Sequence, residues 1–261
     1  MNKPVVNDGT VGKALEVLDL VASLGRPVRF TELLSLAKFP KASLYRFLQT
    51  LTNQGMLSYD PKTQSYAPGL RLVRLAHSAW RQSSLAPVAR PYLDELAEKT
   101  GEAVHLAQLD HGHVLFVDKR KGTDNIDTLA QAGKVAPSYC TGVGKAILAF
   151  MSEPARNRAL QQQAFLKYTP ATHDNTDALV QELNEVRADG VAYDREEHEV
   201  GIISIAAPIL TSGETVIGAL SIATSTSRHT LDALDAFRPA LLETATQIAN
   251  AASTWQFPTQ N

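Results

Sequence analysis

Apolar and polar positions first fall into a helical rhythm between residues 11 and 24. Ala14, Leu15, Leu18, Val21 and Ala22 share one side, and Lys13, Glu16, Asp19 and Ser23 form a polar stripe. Gly25 stops this helix and Pro27 follows it. Thr31 is placed to N-cap a short helix over Glu32–Ala37. A second clear helix runs from Lys41 to Gln54, with Leu44, Phe47, Leu48 and Leu51 inward and Gly55 just past its end. Met56–Tyr59 and Ser65–Pro68 then read as short strands around the turn residues Asp60-Pro61-Lys62-Thr63.

Helix, short helix, turn, helix and β-hairpin is the order of a winged helix-turn-helix. In that geometry the N-terminal half of the second motif helix meets base edges and phosphates in the major groove. Thr31, Lys41, Ser43, Tyr45, Arg46 and Gln49 are therefore candidate DNA contacts, and Lys62, Thr63 and Gln64 would sit at the wing tip. Arg46 suits bidentate guanine or phosphate contact, and the hydroxyls and the amide suit either.

Residues 70–83 repeat the helical rhythm, with Leu72, Val73, Leu75, Ala76, Ala79 and Trp80 on an apolar stripe outside which lie Arg71, Arg74 and Arg81. Another helix spans about Leu85–Lys99, with Pro87 in its first turn and Pro91 a candidate kink. Helices of this kind between domains can pair two chains, and two half-sites on duplex DNA need two recognition helices.

From Gly101 the texture becomes alternating β and α. Ala103–Leu109 and His113–Arg120 read as strands joined at Asp110-His111-Gly112, with a third strand at Ile126–Gln131. Val143–Met151, Glu153–Gln163 and Thr176–Asp189 read as helices, Val191–Asp194, Ile202–Ile209 and Val216–Ala223 as strands, and Leu231–Ser253 as one long closing helix. The expected fold class is α+β. It comprises a winged helix-turn-helix over 11–69, linker helices over 70–100, and a GAF/PAS-like antiparallel sheet domain with flanking helices over 101–254.

Composition sharpens this division. The whole chain carries 25 Lys+Arg against 27 Asp+Glu, a net charge of −2 that argues against nucleic acid. Counted in segments, the first 84 residues carry about +6 and the rest about −8. A basic module is thus joined to an acidic one. The single cysteine, Cys140, excludes an internal disulfide framework and fits a reducing cytoplasm. No signal peptide is expected, and no apolar run reaches the roughly 18 residues of a membrane helix.

Two segments in the second module carry candidate chemistry. Pro137 to Lys145 (PSYCTGVGK) fails as a phosphate loop, because Tyr139 stands where the first glycine belongs and Ala146 follows the lysine. Its glycines still open a helix, so the backbone N–H groups of residues 141–144 can hold a carboxylate or carbonyl oxygen. Tyr193 to Gly201 (YDREEHEVG) precedes an apolar strand in which Ser204 is a polar residue needing a partner. His111, His113 and Glu197-His198-Glu199 offer metal-ligand chemistry as an alternative. No nucleophile elbow, metal-ligand helix or dinucleotide fingerprint supports an enzyme.

Taken together, these motifs resemble the IclR family of bacterial transcription regulators. The likeness runs from about Gly12 to Ala252 and includes KASLYRFLQTL at 41–51 with Gly55, Thr100-Gly101-Glu102, Gly144 to Ala149, and Gly190 to Gly201 followed by Ala206-Ala207-Pro208 and Ala219 to Ile222. The resemblance implies a DNA-binding regulator of a catabolic operon, acting as a repressor, with no cofactor. It implies homodimers that pair into tetramers on operator DNA. It also implies a small-molecule effector held between the loop at Cys140–Gly144 and Asp194 and Ser204. The candidate effector set is Tyr139, Cys140, Thr141, Gly142, Val143, Gly144, Asp194 and Ser204. The family often has histidine where Tyr139 stands and cysteine where Ser204 stands. The Tyr139-Cys140 pair is similar to members that control sugar-acid catabolism, so a sugar acid or keto acid is the expected effector class.

Overall fold

The computed structural model describes residues 9–123 and 128–253. The chain divides into two compact units, Met1–Ala79 and Trp80–Asn261.

The first unit holds α1 (Gly9–Ser23), β1 (Val28–Arg29), α2 (Phe30–Leu36), α3 (Lys41–Asn53), β2 (Leu57–Asp60) and β3 (Ser65–Pro68), and receives the start of α4 (Leu70–Ser83). Its three strands pair antiparallel in the order β1-β3-β2. The apolar faces read from the sequence meet in one core, where Val17 and Val21 of α1 pack with Leu33 of α2 and Leu44 and Leu48 of α3. Thr31 is not an N-cap. The short strand β1 pairs Val28 and Arg29 with Tyr66 and Ser65, so the helix already begins at Phe30, with Arg29 extended at the cap position and no side-chain cap bond.

The second unit holds α5 (Ala86–Thr100), β4 (Ala103–Asp110), β5 (His113–Arg120), β6 (Val135–Pro137), α6 (Gly142–Phe150), α7 (Glu153–Gln161), α8 (Thr176–Asp189), β7 (Ala192–Arg195), β8 (Ile202–Leu210), β9 (Val216–Ser225), α9 (Leu231–Asp235) and α10 (Arg238–Ala251). Six strands form one antiparallel sheet in the order β6-β5-β4-β9-β8-β7. The β4–β5 turn is a two-residue loop, His111-Gly112, with positive φ at both positions, as a hairpin of this hand requires. Strand alternation then sorts side chains into two cores. Val104, Leu106, Ile203, Ile205, Leu220 and Ile222 pack against α5 and α10. Ala107, Phe116, Ala192, Ala206 and Ala219 pack beneath α6 and α8.

Two expectations in this unit need correction. The expected third strand begins at Ile126 and Asp127, which lie outside the described residues, and 128–131 is not strand. Val135–Pro137 pairs with β5 instead. The closing helix is two helices, because α9 ends at Asp235 and α10 restarts with Pro239 in its first turn, where a missing N–H costs nothing. Pro91, the candidate kink, lies inside a continuous α5, and the carbonyl it leaves unbonded is that of Pro87, in the first turn. Among the described residues, no helix is long and apolar enough to cross a membrane.

Candidate functional site

In the first unit, α3 projects Tyr45, Arg46 and Gln49 from its exposed face, while Ser43 is half-buried. Apolar spacing forces this, because Leu44, Phe47, Leu48 and Leu51 must face the core. Lys41, Ala42 and Tyr45 border a groove of about 790 Å³ together with Arg29, Phe30, Thr31 and Tyr59. Aromatic edges shape it: Phe30 meets Tyr45 edge-on at 6.2 Å, and Tyr59 lies 4.9 Å from Tyr66. Thr31, Lys41 and Tyr45 are thus brought together, whereas Arg46 and Gln49 continue the helix face beyond the groove. Lys62 and Thr63 occupy the β2–β3 turn. There Asp60 accepts from the Lys62 N–H at 2.9 Å and from the Thr63 hydroxyl at 2.8 Å, so the turn is internally braced. These bonds hold the Asp60 carboxyl below its usual acidity range.

In the second unit, a cavity of about 40 Å³ lies between the start of α6 and the sheet. Thr141, Gly142, Val143, Asp194 and Ser204 line it, joined by His198 and Glu199, which the sequence offered as metal ligands, and by His105, Phe116, Thr128, Ser221 and Ile202, which local pattern did not select. Register explains the convergence. Asp194 is opposite Ser204 in the β7–β8 pair, and His105 is opposite Ser221 in the β4–β9 pair. All four sit on the α6 side of strands whose alternate residues fill the other core. A lone polar residue inside each of the runs Ala103–Ala107 and Ala219–Ala223 was the available signal.

Thr141 caps α6, its hydroxyl accepting from the Gly144 N–H at 3.3 Å and donating to the Pro137 carbonyl at 2.9 Å. The Gly144 N–H is therefore taken. Those of Gly142 and Val143 have no acceptor within the helix. Gly142 sits where a Cβ would lie 2.8 Å from the Ser204 hydroxyl, so glycine lets the helix start approach the sheet. Gly144 answers to packing instead, since a Cβ there would lie 2.3 Å from the Ser138 carbonyl oxygen.

Tyr139, Cys140 and Gly144 do not line the cavity. Tyr139 donates to the Leu166 carbonyl at 2.6 Å and stacks on Phe165 at 4.8 Å. Cys140 is fully buried, and burial, with Asp194 and Glu197 nearby, pushes its thiol far up. It is a packed thiol without thiolate chemistry at neutral pH.

The electrostatics of the cavity are unusual. Burial first, and Glu197 second, push Asp194 up to about 7. Burial and Lys119 push His105 down to about 3, so its imidazole is neutral. Behind Asp194 lies an ion cluster. Lys145 of α6 is fully buried, with its ammonium on Glu197 and 2.8 Å from Glu182. Glu182 also meets His173 at 2.5 Å and Arg195 at 2.7 Å. The Glu197 N–H donates to Asp194 at 2.8 Å, linking cluster to cavity.

Among the described residues, the candidate metal ligands His111, His113, Glu197, His198 and Glu199 do not form a common cluster. His111 is exposed and pairs with Asp110, Glu197 holds Lys145, and Glu199 accepts from the Leu129 N–H. Among the described residues, the ligand-type groups that converge are His173, Glu182 and Glu197, within 4.8 Å of one another. The ammonium of Lys145 already sits on both of its carboxylates.

Comparison with known proteins matches residues 77–250 to the bacterial transcriptional regulator IclR C-terminal domain and residues 10–61 to the IclR helix-turn-helix domain. The chain belongs to the IclR family. The HTH-type transcriptional regulator XynR of Escherichia coli K12 is 30% identical over 242 residues, covering 93% of this chain and 96% of the relative. The transcriptional repressor IclR of the same organism is 28% identical, covering 92% and 88%. The Thermotoga maritima IclR structure superposes with a TM-score of 0.73 at 27% identity, covering 94% of this chain and 98% of that one. As an IclR-family member, the protein is a DNA-binding transcriptional regulator and not an enzyme. The groove and exposed face of α3 belong to its helix-turn-helix.

Proposed function

We propose that this regulator is a repressor of a catabolic operon in the cytoplasm, released by a small carboxylate or carbonyl metabolite such as a sugar acid or keto acid. The observation that carries the reading is the cavity itself. A helix N-terminus whose first N–H groups have no acceptor within the helix faces Ser204, Ser221, Asp194 and His105, with Thr128, His198 and Glu199 at the same cavity. The N–H pair suits a carboxylate head, and the hydroxyls and neutral imidazole suit hydroxyl or keto groups. The repressor named among its relatives supports the negative sign.

On operator DNA, Lys41, Tyr45, Arg46 and Gln49 read the major groove, Thr31 and Ser43 steady the helix on the backbone, and Lys62 and Thr63 touch the flanking strand. The chain acts as a homodimer, and as a tetramer on longer operators. Leu70 and Val73 of α4, 86% and 65% exposed, supply the pairing face. An effector that favours one arrangement of the pair by about 1–3 kcal/mol changes operator affinity 5- to 150-fold.

The test is a thermal-shift screen of the purified protein against gluconate, keto acids and aromatic acids, followed by anisotropy on an operator selected from random DNA. A true effector raises the melting temperature with concentration and releases the DNA. Ser204→Ala and Ser221→Ala weaken both effects. Retention of both effects in both variants overturns the cavity assignment.

A further inference from the structure

The cavity read above as the effector site is lined by two carboxylates, Asp194 and Glu199, but by no lysine or arginine. We propose that a carboxylate effector enters it together with one proton, taken up by Asp194, which then donates a hydrogen bond to the incoming carboxylate. The step balances simply: an Asp194 carboxylate, a solvent proton and an effector anion become a neutral acid hydrogen-bonded to an anion.

This inference rests on the effector reading and adds the protonation state. Asp194 is 7% exposed, so its charge is poorly solvated. Among its charged and titratable neighbours, Glu199 also lines the cavity and accepts from the Leu129 N–H at 3.0 Å. From α6, Lys145 is held by Glu197 and Glu182. From the following loop, Glu197 adds negative charge, and burial pushes His198 down toward neutrality. Arg195, next along β7, turns to Glu182. Before α6, the Cys140 thiol keeps its proton. β8 brings Ser204, which has no charge, and β4 brings the neutral His105. Lys119 stands behind Thr128, to whose hydroxyl it donates at 3.0 Å.

An effector anion would therefore add a further negative charge beside Asp194, Glu197 and Glu199. Two carboxylates sharing a dry site cannot both stay ionised, and the one already displaced toward neutrality takes the proton. The N–H groups of Gly142 and Val143 favour the anion on the effector side, which leaves the proton on Asp194.

The experiment is titration calorimetry of the full-length protein with acetate and with gluconate, in buffers of different ionisation enthalpy. The expected affinity is level below about pH 6 and falls about tenfold by pH 8, with close to one proton taken up per anion at the upper end. Asp194→Asn, which offers a permanent amide donor, gives a level profile. The proton count on the unaltered protein needs no variant. Anion binding without proton uptake overturns this inference alone. A profile that persists in Asp194→Asn and disappears in His198→Asn puts the proton on the imidazole and overturns it too. Failure of both probes to bind at every pH overturns the carboxylate reading of the cavity, and this inference with it.

Discussion

Replacing Lys145 with methionine is the sharpest test of the ion cluster behind the cavity. The ammonium is fully buried on Glu197 and Glu182, and the second carboxylate oxygen of Glu197 already has no partner. Methionine fills most of the volume but strands a buried carboxylate. Breaking one side of such a pair costs about 3–5 kcal/mol, because the remaining charge is neither solvated nor matched. For a unit of this size each kcal/mol lowers the melting temperature by about 2–4 °C, so Lys145→Met melts roughly 6–20 °C lower. Glu197→Gln loses less, since Lys145 keeps Glu182. The double variant Lys145→Met, Glu197→Gln recovers about 1–3 kcal/mol relative to the sum of the two. Calorimetry at neutral pH, repeated in high salt, reads all three, and the difference persists in salt because the pair is buried. Strictly additive losses, or a Lys145→Met loss below about 1 kcal/mol, would refute the claim that these charges depend on one another.

Other outcomes follow from the same geometry. His105 stays neutral in the fold, with its value moved from 6.5 to about 3, so its stabilising contribution is complete above about pH 6.5 and lost as pH falls toward 3. Asp194 runs oppositely: its value is raised from 3.8 to about 7, so stability is greatest at low pH and declines as pH rises between those values. Melting curves of His105→Gln and Asp194→Asn across this range separate the two slopes, His105→Gln losing acid sensitivity and Asp194→Asn gaining stability only toward alkaline pH. Gly144→Ala, which drives a Cβ to 2.3 Å from the Ser138 carbonyl, destabilises by about 1–3 kcal/mol in urea titration. On the reading head, Arg46→Ala weakens binding to the selected operator and lowers the salt dependence by about one released ion, measured by anisotropy against salt.

Local pattern carried the reading head almost whole, because the helix periods, the glycine stops and the Asp60-Pro61 turn are all short-range signals. It missed β1, whose two residues are a strand only because Tyr66 and Ser65 lie beside them. The cavity was half legible. Thr141, Gly142 and Val143 are announced by a glycine-rich helix start, and Asp194 and Ser204 by polarity in apolar surroundings. His105 and Ser221 join them through register between strands far apart in the sequence, which no window along the chain contains. Tyr139 and Cys140 point elsewhere for a similar reason, since the loop must turn to place Thr141 on the cap. The partners of Lys145 lie 37 and 52 residues downstream, so its burial was equally hidden.

The alternation that sorts the sheet into two cores also bears on how such a sensor can be rewritten. Positions 105, 204 and 221 face the cavity, while their immediate neighbours Val104, Leu106, Ile203, Ile205, Leu220 and Ile222 fill the opposite core. On the effector reading proposed above, a mutational library confined to the first set changes recognition while leaving the core against α5 and α10 intact. On that reading, a biosensor engineer or a drifting lineage can explore new inducers one strand position at a time without touching the opposite core.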